Sequence, residues 1–170
     1  MPDAFPVWTI GHSDQPLQRL LGLLRELRVK LVADVRSQPW SRHVPQFNRE
    51  GLEQALARQG IEYRWLGEEL GGRRRPPMTF GRIAALPDFR RAALELAGLC
   101  RGHRVALLCG EEDPAECHRR LLVGRALERL GGRLYHVRAD GRVQTEPELQ
   151  FELDQAQESF DFEQETREEK

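Results

Sequence analysis

Val105-Ala106-Leu107-Leu108-Cys109-Gly110-Glu111-Glu112-Asp113-Pro114-Ala115-Glu116-Cys117-His118-Arg119-Arg120 is the stretch from which the rest of the chain can be placed. It opens on an unbroken apolar run, Val105 to Cys109, the pattern of a strand buried on both faces of a sheet. The residues after that run predict a helix. Asp113 suits the N-cap, Pro114 the first helical position, and Glu116 stands three residues after the cap, as in a capping box. Leu122, Val123, Ala126, Leu127 and Leu130 then recur at helical spacing, and Gly131 suits the C-cap. On this reading Cys109 closes a strand, and Cys117, His118 and Arg119 lie in the opening turns of the next helix. A short loop keeps the two ends close.

Working outward, the same alternation repeats. Val7 to Ile10 is a short apolar run, and Ser13 or Asp14 can cap a helix with Leu17, Leu20, Leu21, Leu24 and Leu27 on one stripe. Leu31 to Val35 reads as a second strand. Residues 37–47, with His43, read as irregular. Asn48 then caps a helix through Leu52, Ala55 and Leu56, which stops at Gly60. Ile61 to Leu66 alternates as a third strand. Arg73-Arg74-Arg75-Pro76-Pro77 predicts an exposed, mobile loop. Asp88 to Cys100 predicts a helix with Cys100 as a small core residue, and Leu134 to Val137 a fifth strand.

Five strand–helix alternations predict a three-layer α/β/α sandwich, doubly wound, with a mostly parallel sheet of about five strands. Residues 1–145 form a single α/β domain on this reading, and 146–170 an acidic C-terminal tail, partly helical or disordered.

Composition narrows the function classes. No apolar stretch approaches the roughly 20 residues of a membrane span, and the N-terminal residues lack the basic-then-apolar order of a signal peptide. Three cysteines, at 100, 109 and 117, are an odd number and too few for a disulfide scaffold, which predicts a reducing, cytoplasmic location. The net charge of -1 conceals an asymmetry. Residues 146–170 hold ten acidic residues against Arg167 and Lys170, a balance of -8, while the preceding residues hold 24 basic and 17 acidic, or +7. Lys30 is the only lysine in that basic body. Arginine's planar fork suits phosphate and carboxylate, so an anionic partner is indicated, set against a plain compositional bias toward arginine.

In an open parallel sheet, ligands bind outside the carboxyl ends of the strands. The chemically capable residues gather at that edge: His12 and Ser13 after the first strand, Asp34 and Arg36 at the end of the second, Glu68 and Glu69 after the third, Cys109 and Glu111 after the fourth.

Six phrases here also occur together elsewhere: Thr-Ile-Gly-His-Ser (9–13), Asp-Val-Arg (34–36) with Pro39 and Ser41, Gln-Phe-Asn (46–48), Leu-Gly-Gly (70–72), Leu-Leu-Cys-x-Glu (107–111) and Cys-His-Arg (117–119). In this order they resemble the family called domain of unknown function 488, over about residues 7–140. The resemblance implies a compact α/β domain with its signature residues on the strand-end rim. It implies no reaction.

Two sharp readings compete at Cys109 and Cys117. The first is thiol catalysis: a cysteine near a helix N-terminus and Arg119, paired with His118 or His12, is a nucleophile. Four acidic residues around Cys117 oppose it, and the Cys109-x7-Cys117 spacing departs from thiol-phosphatase and rhodanese loops. The second is a metal site, with Cys109, Cys117 and His118, joined by His12 or Asp34, as soft ligands for zinc or iron. The bland reading makes both cysteines core residues.

The enzyme reading expects a small or nucleotide-like anionic substrate. Arg36 and Arg119 bind it, with Ser13, Glu69 and Glu111 also lining the site. Asp34 or His12 handles protons, and Cys109, Cys117 and His118 carry the chemistry. The rival is a non-enzymatic nucleic-acid-binding module using the basic body and Arg73 to Arg75, with the acidic tail as an autoinhibitory mimic. No cofactor is legible.

Overall fold

The computed structural model describes residues 3–168, with side chains described up to residue 160. A six-stranded sheet in the order β3-β2-β4-β1-β5-β6 forms its centre. β1 (Phe5–Gly11), β2 (Leu31–Asp34), β3 (Glu62–Trp65), β4 (Val105–Cys109) and β5 (Gly132–Val137) are parallel, and β6 (Val143–Thr145) runs antiparallel to β5.

The strand residues split by parity, as the two-residue period of a pleated strand requires. Trp8 and Ile10 of β1, with Val32, Ala106 and Leu108, pack under α1 (Leu17–Glu26) and α2 (Arg49–Arg58). Val7, Leu31, Ala33, Val105 and Leu107 face the other way. They pack on α4 (Phe80–Ala85), α5 (Pro87–Gly102) and α6 (Arg125–Arg129). This is the three-layer arrangement expected, with a one-turn helix α3 (Gly67–Leu70) following β3. β1 and β4 are neighbours, yet their connections leave toward opposite layers. The crevice such a divergence opens is where ligands enter doubly wound folds.

The structure departs from the sequence reading chiefly at element starts. The helix after β4 does not begin at Pro114. Asp113 accepts from the Ala115 N–H (2.9 Å) in a turn, and helical backbone starts only at His118, continuing as a wide π-type run over Arg119–Gly124 before α6. Arg119 and Arg120 are both buried and reach opposite partners, a tertiary demand that overrides the local capping signal. Neither Ser13 nor Asp14 caps α1, whose N-cap position is Pro16. Ser13 instead turns the chain, with φ 47° and its N–H on the Gly110 carbonyl (2.8 Å). Asn48 does stand at the N-cap of α2, but its side chain accepts from the Ser41 N–H (2.7 Å) and not from the helix.

Three elements have no sequence signal of their own: α3, α4 and β6. The acidic segment continues as a helix, α7 (Glu146–Glu168), and its first turn docks on the body through buried Glu146 and Leu149. No helix among the described residues is long and apolar enough to cross a membrane.

Candidate functional site

The carboxyl ends of β1, β2 and β4 open into a cavity of about 410 Å³. Cys109, Gly110, His118, His12 and Arg36 line it, together with Trp40 and Arg73 from the irregular segments. Cys109 is the last residue of β4 and faces the α5 layer, so its sulfur lies at the strand end beside His118. The His118 Nδ1 lies 3.5 Å from the Cys109 Sγ, and its Nε2 donates to the Val35 carbonyl (2.8 Å). A carbonyl can only accept, so Nε2 carries a hydrogen and Nδ1 is the nitrogen turned to sulfur.

Cys117 is fully buried behind this pair. The ligand atoms of Cys109, Cys117 and His118 all lie within 4.8 Å of one another. The Cys117 thiol donates to Cys109, and this bond, with the Glu111 and Gly110 N–H groups and the charge of Arg119, outweighs burial. The Cys109 pKa is drawn down to about 7. The same bond to Cys109, then burial, pushes Cys117 up to about 12. Burial opposes a charge on His118, but contacts with Cys117 and the Val35 carbonyl outweigh it and raise its pKa. The arrangement favours a thiolate on Cys109 beside an imidazolium.

The facing wall comes from β1 and β2. Asp34 is fully buried and bonds the Arg36 guanidinium at 2.6 to 3.1 Å, while the Tyr63 hydroxyl donates at 2.6 Å to Oδ2, the oxygen that Arg36 Nη2 also reaches. Arg36 Nη1 in turn donates to His12 Nε2 (3.2 Å), and His12 Nδ1 donates to the Ser13 carbonyl (2.7 Å). Burial, with the adjacent Arg36 charge, lowers the His12 pKa, and its ring stacks on Phe47 with 4.4 Å between centroids. Both nitrogens of His12 and both oxygens of Asp34 are therefore engaged in holding Arg36 against the cavity.

Arg119 is fully buried. Its guanidinium donates to Thr9 Oγ1 (3.3 Å), to the Glu112 carbonyl (2.8 Å) and to the Glu111 carbonyl. It thereby fixes the loop that aims the Gly110 and Glu111 N–H groups at Cys109. A side chain at Gly11 would overlap the Glu111 carbonyl, so glycine is required where β1 meets this loop. Glu112 completes the anchor through Arg138 (2.9 Å).

Of the residues singled out in the sequence, His12, Arg36, Cys109, Glu111 and His118 line the cavity. Asp34, Cys117 and Arg119 stand directly behind it as partners of lining groups. Ser13 touches the site only through its backbone, its carbonyl on His12 and its N–H on Gly110. Glu69 lies apart, beside a separate cavity with Arg64 and Arg91.

Several contributors were not singled out in the sequence. The Val35 carbonyl belongs to the backbone and has no residue type to read. Tyr63 looks like an ordinary strand residue, and Thr9 and Phe47 lie within the phrases at 9–13 and 46–48 but look like strand and core residues. Trp40 could have been suspected, as a tryptophan in a segment with no apolar periodicity.

A family model described as Domain of unknown function DUF488 matches residues 16–126. No curated protein and no solved structure matches the chain.

Proposed function

Since the chain belongs to the DUF488 family, whose description names no reaction, its activity has to be read from the site, and we propose a thiol-dependent enzyme acting on a small anionic substrate. One observation carries this reading: Cys109, at the floor of the cavity, contacts a histidine whose far nitrogen is pinned to the Val35 carbonyl. Nucleophile, base and orienting group thus stand in the order that covalent catalysis needs. The Cys109 sulfur attacks an electrophilic centre of the substrate and forms a bond to it. The leaving group departs with the proton from His118 Nδ1. Water then cleaves the bond between sulfur and that centre, giving a proton back to His118, and the thiolate is restored. Arg36, held by Asp34 and His12, is the fixed cation of the opposite wall. Arg119 positions the N–H groups at sulfur.

Selective alkylation tests this. Iodoacetamide added to the native protein at pH 7.5 should modify Cys109 first, with Cys100 and Cys117 reacting only after denaturation. Equal or absent labelling of Cys109 would count against a nucleophile at that position.

A second reading has its own observation. Three soft donors lie within 4.8 Å of one another, and the third has its other nitrogen on a backbone carbonyl, a frequent outer contact of a ligating histidine. Stoichiometric zinc or iron in protein purified without chelator, lost in Cys117→Ser, would favour it over the first.

A further inference from the structure

The Cys109 cavity does not end at the thiol pair. A second cavity of about 680 Å³ adjoins it, and the two share Ser37, Gln38, Gly72 and Arg73. Together they form one cleft running from Cys109 to the Arg73–Arg75 segment, each part of it within the size range of small-molecule and cofactor sites.

The cations along this cleft are not equivalent. Arg36 is engaged by Asp34. Arg74 is half-buried, paired with Asp88 (3.2 Å) and donating to the Glu69 carbonyl. Arg73 and Arg75 are exposed, and their guanidiniums have no protein partner among the described residues. The segment that carries them is nevertheless fixed: the Arg73 N–H donates to Ser37 Oγ (3.0 Å), and Gly72 sits so tightly on His118 that a Cβ would meet its side chain at 2.8 Å. Two unneutralised forks are thus presented from an anchored backbone, the arrangement that phosphate oxygens match. At the other end, Glu111 and Glu116 stand beside Cys109 and disfavour a second strong anion there.

Trp40 supplies the third feature. It lines the first cavity and is 56% exposed, the only tryptophan among three that is not at least half-buried. An exposed indole beside free arginines is suited to stacking a planar ring.

We propose that the cleft binds a nucleotide unit, its phosphate on Arg73 and Arg75 and its base against Trp40, in the cavity that Cys109 also lines. Its place rests on the site proposed above, and its binding does not depend on the reactivity of the thiol.

Adenosine 5′-monophosphate, a 5′-phosphorylated tetranucleotide, adenosine and inorganic phosphate can be titrated against the full chain by tryptophan fluorescence, alongside protection of Cys109 from iodoacetamide. The monophosphate should quench Trp40 and slow alkylation. Arg73→Ala with Arg75→Ala should weaken it by roughly tenfold or more. Trp40→Ala should weaken the monophosphate by about tenfold and leave inorganic phosphate unchanged. All three side chains are exposed or partner-free, so these variants should fold as the parent does, which circular dichroism verifies. Tighter binding of the tetranucleotide than of the monophosphate would support the end of a strand as the source, and equal binding a free nucleotide. A monophosphate that binds no better than inorganic phosphate, or equally well to the arginine variant, overturns the proposal. If that happens while Cys109 remains selectively reactive, the thiol reading stands alone. If nucleotide binds as described but Cys109 is inert, only the thiol reading falls.

Discussion

Cys100 and Cys109 are both buried thiols, and only their neighbours separate an inert residue from a reactive one. Burial pushes Cys100 up to about 12, with only the charge of Arg101 pulling the other way. Cys109 has a thiol donor, two backbone N–H groups and a nearby guanidinium, and it falls to about 7. Removing the donor should reverse part of this, so Cys117→Ala should raise the pH at which Cys109 becomes alkylable, as a pH series of iodoacetamide rates would show. Arg119→Met should have two effects. It strands the Glu111 and Glu112 carbonyls, which are only part-buried, so each costs toward the low end of about 1–3 kcal/mol. It also removes a positive charge near sulfur, so chemical denaturation and the alkylation profile should move together. A variant that is destabilised with an unchanged profile would limit Arg119 to holding the loop.

Among the elements, α7 shows how a segment that reads as acidic tail can begin as part of the body. Glu146 takes Arg120 at 2.7 Å and His136 at 2.8 Å. Burial works against its charge, but the bonds from His136 and Arg120 hold its pKa down to about 2, below the ordinary 4.5. A depressed carboxyl stabilises the fold above its unfolded pKa, and that contribution is lost as pH falls from about 4.5 through about 2. Glu146→Gln should therefore cost about 3 kcal/mol near neutrality, as expected when one partner of a buried pair is removed. Its gap from the parent in denaturant titrations should close across that acid window.

The same element scale separates the legible from the hidden. The five parallel strands declared themselves because each is an apolar or alternating run bounded by glycines and charges, and the rim followed from their common direction. The start of the helix at His118 did not, because Asp113-Pro114-x-Glu116 is a sound local capping signal that loses to the buried reach of Arg119 and Arg120. β6 is three residues long and α4 six, too short for periodicity to register. Cys109, His12 and Arg36 were visible as residue types at strand ends and His118 as one in the opening turns of the helix that follows, whereas Val35 acts through its carbonyl and Trp40 through its exposure.

At the scale of the whole molecule, charge is divided between a basic body and an acidic end. The cleft's free arginines are solvent-exposed, while the thiol pair is enclosed. Their salt responses should differ accordingly. Phosphate-dependent binding should weaken steeply as ionic strength rises from about 0.01 M to 1 M, over which the screening length falls from about 30 Å to 3 Å. The alkylation profile of Cys109, set by contacts inside that length, should hardly shift. The chain's end should be separable in a similar way. Deleting residues 153–170 leaves Glu146, Leu149 and Gln150 in place and should preserve the melting temperature. Deleting 146–170 removes the buried carboxylate and Leu149 and should lower it by several degrees, given roughly 4–8 °C per kcal/mol for domains of about 60–100 residues and half that for larger ones.

The central claim is that Cys109 rests as a thiolate in the native site. The rate of Cys109 alkylation by iodoacetamide, followed by peptide mass spectrometry from pH 5 to pH 10, tests it most directly. A thiolate at rest predicts a single rise with its midpoint near 7, absent from Cys109→Ser and shifted upward in Cys117→Ala. A midpoint near the ordinary thiol value of 9.0, or a Cys109 that reacts only in the unfolded chain, would contradict it.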